Sequence, residues 1–175
     1  WNPVDGTTNP IFLVISLNME AEKLGAKIYH HTEVQNIQVK AGQVRGVTTS
    51  QGTIKTNCVV NAAGSWAKQI GEMVGVTVPV TPFQMAMLVT EQLSPCIFHP
   101  IMGASYMVEE DSGKKGGLGS GLIVSQQVSG NILLGASWRD AQYDKRTIQE
   151  EIELIAGNAL KSIPALQNIR IIRSF

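Results

Sequence analysis

From Asn9 to Leu24 the chain places Leu13, Leu17 and Leu24 on one side at helical spacing, with Asn9-Pro10 as cap and first-turn residue and Gly25 as the stop. The run Ile11 to Ile15 is apolar all round, which predicts a buried helix. Four short β-prone pieces follow, Ala26 to Tyr29, Val34 to Val39, Gln43 to Thr49 and Thr53 to Lys55. Ala41-Gly42 and Gln51-Gly52 punctuate them as a meander of hairpins would be punctuated. Cys58-Val59-Val60 is apolar without alternation and predicts a strand covered on both faces in a parallel sheet, with Cys58 as a small core residue. Ser65 to Val74 then reads as a helix capped by Ser65 and ended near Gly75.

The pattern changes after Val76. Val78 to Pro82 is stiff and extended, Met85 to Thr90 reads as a strand, and Ile97 to Met107 is irregular. Glu109 to Gly121, rich in glycine, predicts an exposed mobile loop. Leu122 to Val128 and Asn131 to Ser137 flank Ser129-Gly130 as a hairpin. Thr147 to Leu160 carries Ile148, Ile152, Ile155 and Ala159 on one helical face, Pro164 ends it, and Ile169 to Phe175 reads as a last strand. These elements predict an α/β to α+β chain of two domains, residues 1–78 and 79–175, the second a mixed or antiparallel sheet with a covering helix.

Composition narrows the partners. The 175 residues are 43% hydrophobic and 16% charged, as a packed globular chain would be. Fourteen basic residues balance fourteen acidic ones with no like-charge run, which argues against nucleic acid and anionic membranes as partners. No stretch reaches the roughly 20 apolar residues of a membrane helix. Cys58 and Cys96 have no companion at disulfide-framework or metal spacing, which fits a reducing cytoplasm. The chain begins with Trp1, so an internal fragment is expected.

Ala62-Ala63-Gly64 thins the chain where the predicted strand meets the predicted helix. Small residues there either let a ligand touch the backbone beside a helix N-terminus or only permit close packing, and on the residues alone the two readings stand level. His30, His31 and His99 have no carboxylate or thiol at a telling spacing and read as ordinary polar positions. Glu109-Glu110-Asp111 reads as a solvated turn rather than a metal site, and Gly116 to Gly121 is not framed as a phosphate loop, because a β-prone run follows it. No Ser/His/Asp or Cys/His constellation and no GxGxxG is present.

The order of segments carries more than any one of them. Trp1-Asn-Pro-Val-Asp-Gly-Thr-Thr-Asn-Pro10, Glu20-Ala-Glu-Lys-Leu-Gly-Ala26, Thr32-Glu-Val34, Val44-Arg-Gly-Val47, Val59-Val-Asn-Ala-Ala-Gly-Ser-Trp-Ala67, Pro79-Val-Thr-Pro82 and Leu88-Val-Thr-Glu91 together resemble the FAD-dependent amino acid and amine oxidoreductases of the D-amino acid oxidase superfamily. Ser125-Gln126 with Ser129-Gly-Asn-Ile-Leu-Leu-Gly-Ala136 is similar to the β subunits of heterotetrameric sarcosine oxidases, and Pro164-Ala-Leu-Gln-Asn168 to glycine oxidases.

The resemblance implies FAD as cofactor and oxidation of the C–N bond of an amino acid or secondary amine. It implies that Val34 meets the adenine through its backbone, that Ala62, Ala63, Gly64 and Trp66 lie near the pyrophosphate and ribityl chain, and that the sheet after Pro79 covers the flavin and lines the substrate cavity. Residues 1–78 are then a partial FAD-binding, Rossmann-like domain and 79–175 a substrate-binding cap. Ile123 stands where glycine oxidase carries a substrate-facing tyrosine, Tyr106 lies before the long loop, and Gln84-Met-Ala86 replaces the family's Arg-Gly-Gln. The family's N-terminal strand-GxGxxG-helix is not in these residues, nor is its Gly-Leu-Arg-Pro segment, so the chain alone is expected to hold FAD weakly and to be inactive. The partners implied are a small amine or amino acid and partner subunits or further copies of the chain. Two rival readings remain: a non-catalytic subunit that keeps the fold, and a different FAD enzyme related to glycerol-3-phosphate dehydrogenase.

Overall fold

The computed structural model describes residues 7–104, 106 and 117–175. The chain divides into two compact units, Trp1–Val80 and Thr81–Phe175.

The first unit opens with helix α1 (Pro10–Lys23). Its start follows the sequence reading: the Asn9 side-chain oxygen accepts from the Ile11 and Phe12 amides at 3.0 and 3.2 Å, and Pro10 takes the first turn. Burial does not follow. None of its residues is buried, and Ile11 and Phe12 are 67% and 68% exposed. An apolar run reports that a helix wants cover; it does not supply the surface that covers it.

Strands β1 (Val34–Lys40), β2 (Gln43–Thr49) and β3 (Gly52–Lys55) form an antiparallel meander in that order. Lys40 pairs with Gln43 across a two-residue turn in which Ala41 and Gly42 both take positive φ, 52° and 73°, the handedness that suits a twisted hairpin. Ile37 and Val47, paired across β1 and β2, are buried. Two expected strands are not formed. Ala26 to Tyr29 runs without a ladder into a turn at His30 and His31. At Cys58-Val59-Val60 the Thr56 hydroxyl donates to the Cys58 carbonyl at 2.9 Å and accepts from its amide at 3.2 Å, taking the groups a ladder would use. Cys58 is therefore an exposed free thiol rather than a core residue, and Val60 is 84% exposed. A 3₁₀ turn (Gly64–Trp66) leads into helix α2 (Ala67–Glu72), whose N-cap is Trp66, so Ser65 does not cap it.

The second unit is a five-stranded sheet with one helix on it. Strands β4 (Gln84–Gln92), β5 (Ile101–Met102), β6 (Gly119–Gln126), β7 (Asn131–Arg139) and β8 (Ile171–Ser174) lie in the order β5-β6-β7-β4-β8, with every pairing antiparallel. Helix α3 (Gln149–Ser162) packs on one face. Its Ile155 and Ala159 join Ala86 and Leu88 of β4, Val124 of β6, Ile132 and Leu134 of β7, and Leu166 just after Pro164, in one core. Strand alternation supplies the sheet side of this core and helical spacing the other.

The expected loop from Glu109 to Gly121 lies outside the described residues as far as Gly116; its last three residues begin β6. These glycines make room rather than slack. A Cβ on Gly119 would collide with the Trp138 indole, and one on Gly121 would come within 2.7 Å of Tyr106.

Candidate functional site

In the first unit the thinned segment is held by Asn61. Its amide nitrogen donates to the Ala67 carbonyl at 2.8 Å, and its oxygen accepts from the Ala63 amide at 3.3 Å, so one side chain ties both ends of the turn. Ala62 and Gly64 are exposed, Ala63 is half-buried, and the Trp66 ring is 44% exposed. Gly64 has φ +52°, and a Cβ built on it meets nothing within 4 Å. The segment thus presents an open backbone strip, with room that none of the described side chains fills. Because α2 has six residues, its end offers no long-helix dipole, and any ligand must be met by this strip and by neighbouring side chains. Val34 is half-buried at the start of β1, opposite Thr49.

In the second unit the sheet face away from α3 is the candidate. Cross-strand partners share a face, so Met102, Ile123, Gly135 and Met87 form one row across β5, β6, β7 and β4, and Gly119, Trp138 and Met85 another. Rows on the other side contain Val124, Leu134 and Leu88, which pack against α3. Ile123 is half-buried, while Met85 and Met102 are largely exposed. Tyr106 lies over Gly121 and meets Trp138 edge-to-face, 5.5 Å between ring centres at 88°. The structure thereby brings a tyrosine to the strand that carries Ile123, from a segment that sequence reasoning set apart from it.

Behind this face lies a polar seam. Glu151 of α3 has no exposed surface; it accepts from the Ser137 hydroxyl at 3.1 Å and from the Ile148 amide at 3.0 Å, and its Oε2 lies 3.5 Å from Arg139 Nε. The contact to Glu151 is an ion pair without a hydrogen bond, whereas Arg139 Nη2 donates to the Arg146 carbonyl at 2.8 Å. Hydrogen bonds from the Arg146 guanidinium, then its amide, hold the Asp144 carboxyl well below the usual carboxylate range. Sequence reasoning missed Glu151, although a signal existed: it falls on the apolar stripe of its helix, three residues after Ile148 and four before Ile155.

Gln126 had no comparable signal. Its oxygen accepts from the Cys96 and Ile97 amides at 2.8 and 3.0 Å, and its nitrogen donates to the carbonyls of Leu93, Ser94 and Gly130. It fastens the chain after β4 to the β6–β7 hairpin. The three histidines are exposed, and among the described residues no group of His, Cys, Asp or Glu could hold a metal ion. Glu109, Glu110 and Asp111 lie outside them. No helix among the described residues is long and apolar enough to cross a membrane.

All of residues 1–175 match the family of FAD dependent oxidoreductases, and the chain belongs to that family. It is 28% identical over 187 residues to the mitochondrial dimethylglycine dehydrogenase of Mus musculus, covering 98% of this chain and 21% of that protein. It is 38% identical over 96 residues to the mitochondrial sarcosine dehydrogenase of Mus musculus, covering 52% and 10%. Subunit A1 of an anaerobic glycerol-3-phosphate dehydrogenase from Haloferax volcanii is 27% identical, covering 98% and 30%. Among solved structures, L-proline dehydrogenase from P. horikoshii superimposes with a TM-score of 0.86 at 26% identity, over 99% of this chain and 44% of that one. Glycine oxidase from Bacillus cereus superimposes at 0.73 and 22% identity, a likeness of fold. The mixed arrangement of helices and antiparallel sheet is that of these oxidoreductases.

Proposed function

We propose that the protein carrying this chain holds FAD and oxidises the C–N bond of an amino acid or a secondary amine, with N-methylated glycines as its nearest substrate class. The observation that carries this reading is the likeness to two dehydrogenases of such glycines within an FAD-dependent family. Bound FAD supplies the two-electron acceptor. The first unit is read as part of the FAD-binding domain and the second as the substrate cap. Ala62, Ala63 and Gly64 suit close approach by a cofactor, because nothing among the described residues fills the space in front of Gly64. Trp66 offers an exposed ring beside them, and Val34 a strand-end backbone. In the second unit Ile123, Met87 and Tyr106 present an apolar and aromatic wall that would exclude water from an amine and orient it. No acid–base pair is needed on that wall if the substrate amine enters neutral. Both cysteines are free, which is compatible with a reducing compartment such as the cytoplasm, and assembly with partner subunits or further copies belongs to the same proposal.

A second reading, oxidation of a polyol phosphate, draws on the likeness to the Haloferax subunit. One experiment separates them. The full-length protein should purify with bound flavin and reduce an artificial electron acceptor with sarcosine or dimethylglycine, and not with glycerol 3-phosphate. Flavin with turnover only of the polyol phosphate would replace the first reading by the second. A folded full-length protein without flavin would defeat both and leave the non-catalytic subunit.

A further inference from the structure

Glu151 is the only carboxylate among the described residues with no exposed surface. An ion withdrawn from water is costly, and well-packed apolar residues in its place are often at least as stable, so stability alone does not account for it. Its contacts give a more specific account. Two of them, the Ser137 hydroxyl and Arg139 Nε, belong to β7 and flank a single residue, Trp138. Consecutive strand residues point to opposite faces, so holding Ser137 and Arg139 from behind fixes the backbone between them and with it the direction of the Trp138 ring in front. That ring occupies the space over Gly119 and meets Tyr106 edge-to-face, and Tyr106 itself lies over Gly121. The third contact, the Ile148 amide, anchors the carboxylate at the first turn of α3, the element against which β6 and β7 are registered.

We propose that Glu151 is a positioning residue: from the back of the sheet it sets Trp138, and through Trp138 it sets Tyr106 and the shape of the front face. The functional part of this rests on reading that face as the substrate wall.

The test uses the full-length protein. Glu151→Gln keeps the shape, and with its oxygen accepting from the Ile148 amide its nitrogen can donate to the Ser137 hydroxyl, but it cannot balance the Arg139 charge. It should raise KM for the amine substrate by about 3- to 10-fold, as contacting residues couple, while kcat changes less than about twofold. In a Trp138→Phe background that rise should vanish, because the residue through which Glu151 acts is gone. Ser137→Ala, which removes one contact only, should give a smaller rise in the same direction and serves if Glu151→Gln does not fold. Fluorine NMR on protein labelled with fluorotryptophan, with the Trp138 resonance assigned by its loss in Trp138→Phe, should show that resonance displaced by Glu151→Gln. An unmoved resonance, or KM effects that simply add in the double variant, overturns the proposal. If no amine is turned over, the reading of the face fails while the resonance still decides whether Glu151 positions Trp138.

Discussion

Gly64 joins two requirements in one residue. Its φ of +52° lies where a side chain is strained, and the space its Cβ would enter is open. The two can be separated by substitution. Asparagine tolerates the left-handed conformation better than other residues, so Gly64→Asn should leave thermal unfolding nearly unchanged. If the open space is the cofactor's, that variant of the full-length protein should still lose its FAD, and Gly64→Val should lose FAD together with about 1–2 kcal/mol of stability. Measuring flavin-to-protein ratio and melting temperature on one sample decides it: Gly64→Asn with a full complement of flavin would reduce Gly64 to a turn residue. The Ala-Ala-Gly thinning was legible in the sequence because small residues are visible as such. The bracing by Asn61 was not, since nothing in Asn61 itself says that Ala67 comes within reach.

Elements were legible where their signals are local. The β1–β2 hairpin followed from alternation and a two-residue turn, and α1 from its Asn-Pro start. Errors arose where the deciding partner lies far along the chain. Gly119 and Gly121 read as loop because glycine permits a loop, yet they sit in β6 beneath aromatic rings contributed by Trp138 and Tyr106. Cys58 to Val60 failed for a local reason instead: the Thr56 hydroxyl, two residues away, takes the Cys58 backbone groups that a ladder would use. Gln126 is the same lesson in a side chain, an amide that links three segments. Gln126→Ala should leave the sheet intact while freeing the chain between Leu93 and Ile97. Hydrogen exchange at the Cys96 and Ile97 amides should accelerate by at least about tenfold, with stability lower by roughly 1–3 kcal/mol. Unchanged exchange at those two amides would mean that the loop holds itself.

At the scale of the whole molecule the two units differ in what they bury. Among the described residues the buried apolar ones of the first are Ile37, Val47 and Ala67, whereas the second assembles one continuous core between its sheet and α3. Stability should be distributed accordingly. In the isolated chain, amide protection at Ile37 and Val47 should fall below that at Leu88 and Leu134 by about two orders of magnitude or more. Equal protection in both units would show that the chain unfolds as one body. The unequal cores of the units were not legible in the sequence, because an apolar count does not tell which apolar residues find cover: α1 has many and buries none. The one-sided covering of the second sheet has a further meaning. Its strands carry two interleaved messages in a single string of residues, one addressed to the helix behind and one to whatever stands in front. Neighbours such as Ile123 and Val124 are adjacent letters of different messages, free to change under separate pressures, whereas at Ser137 and Trp138, in front of Glu151, the two messages touch and a change in one alters the reading of the other.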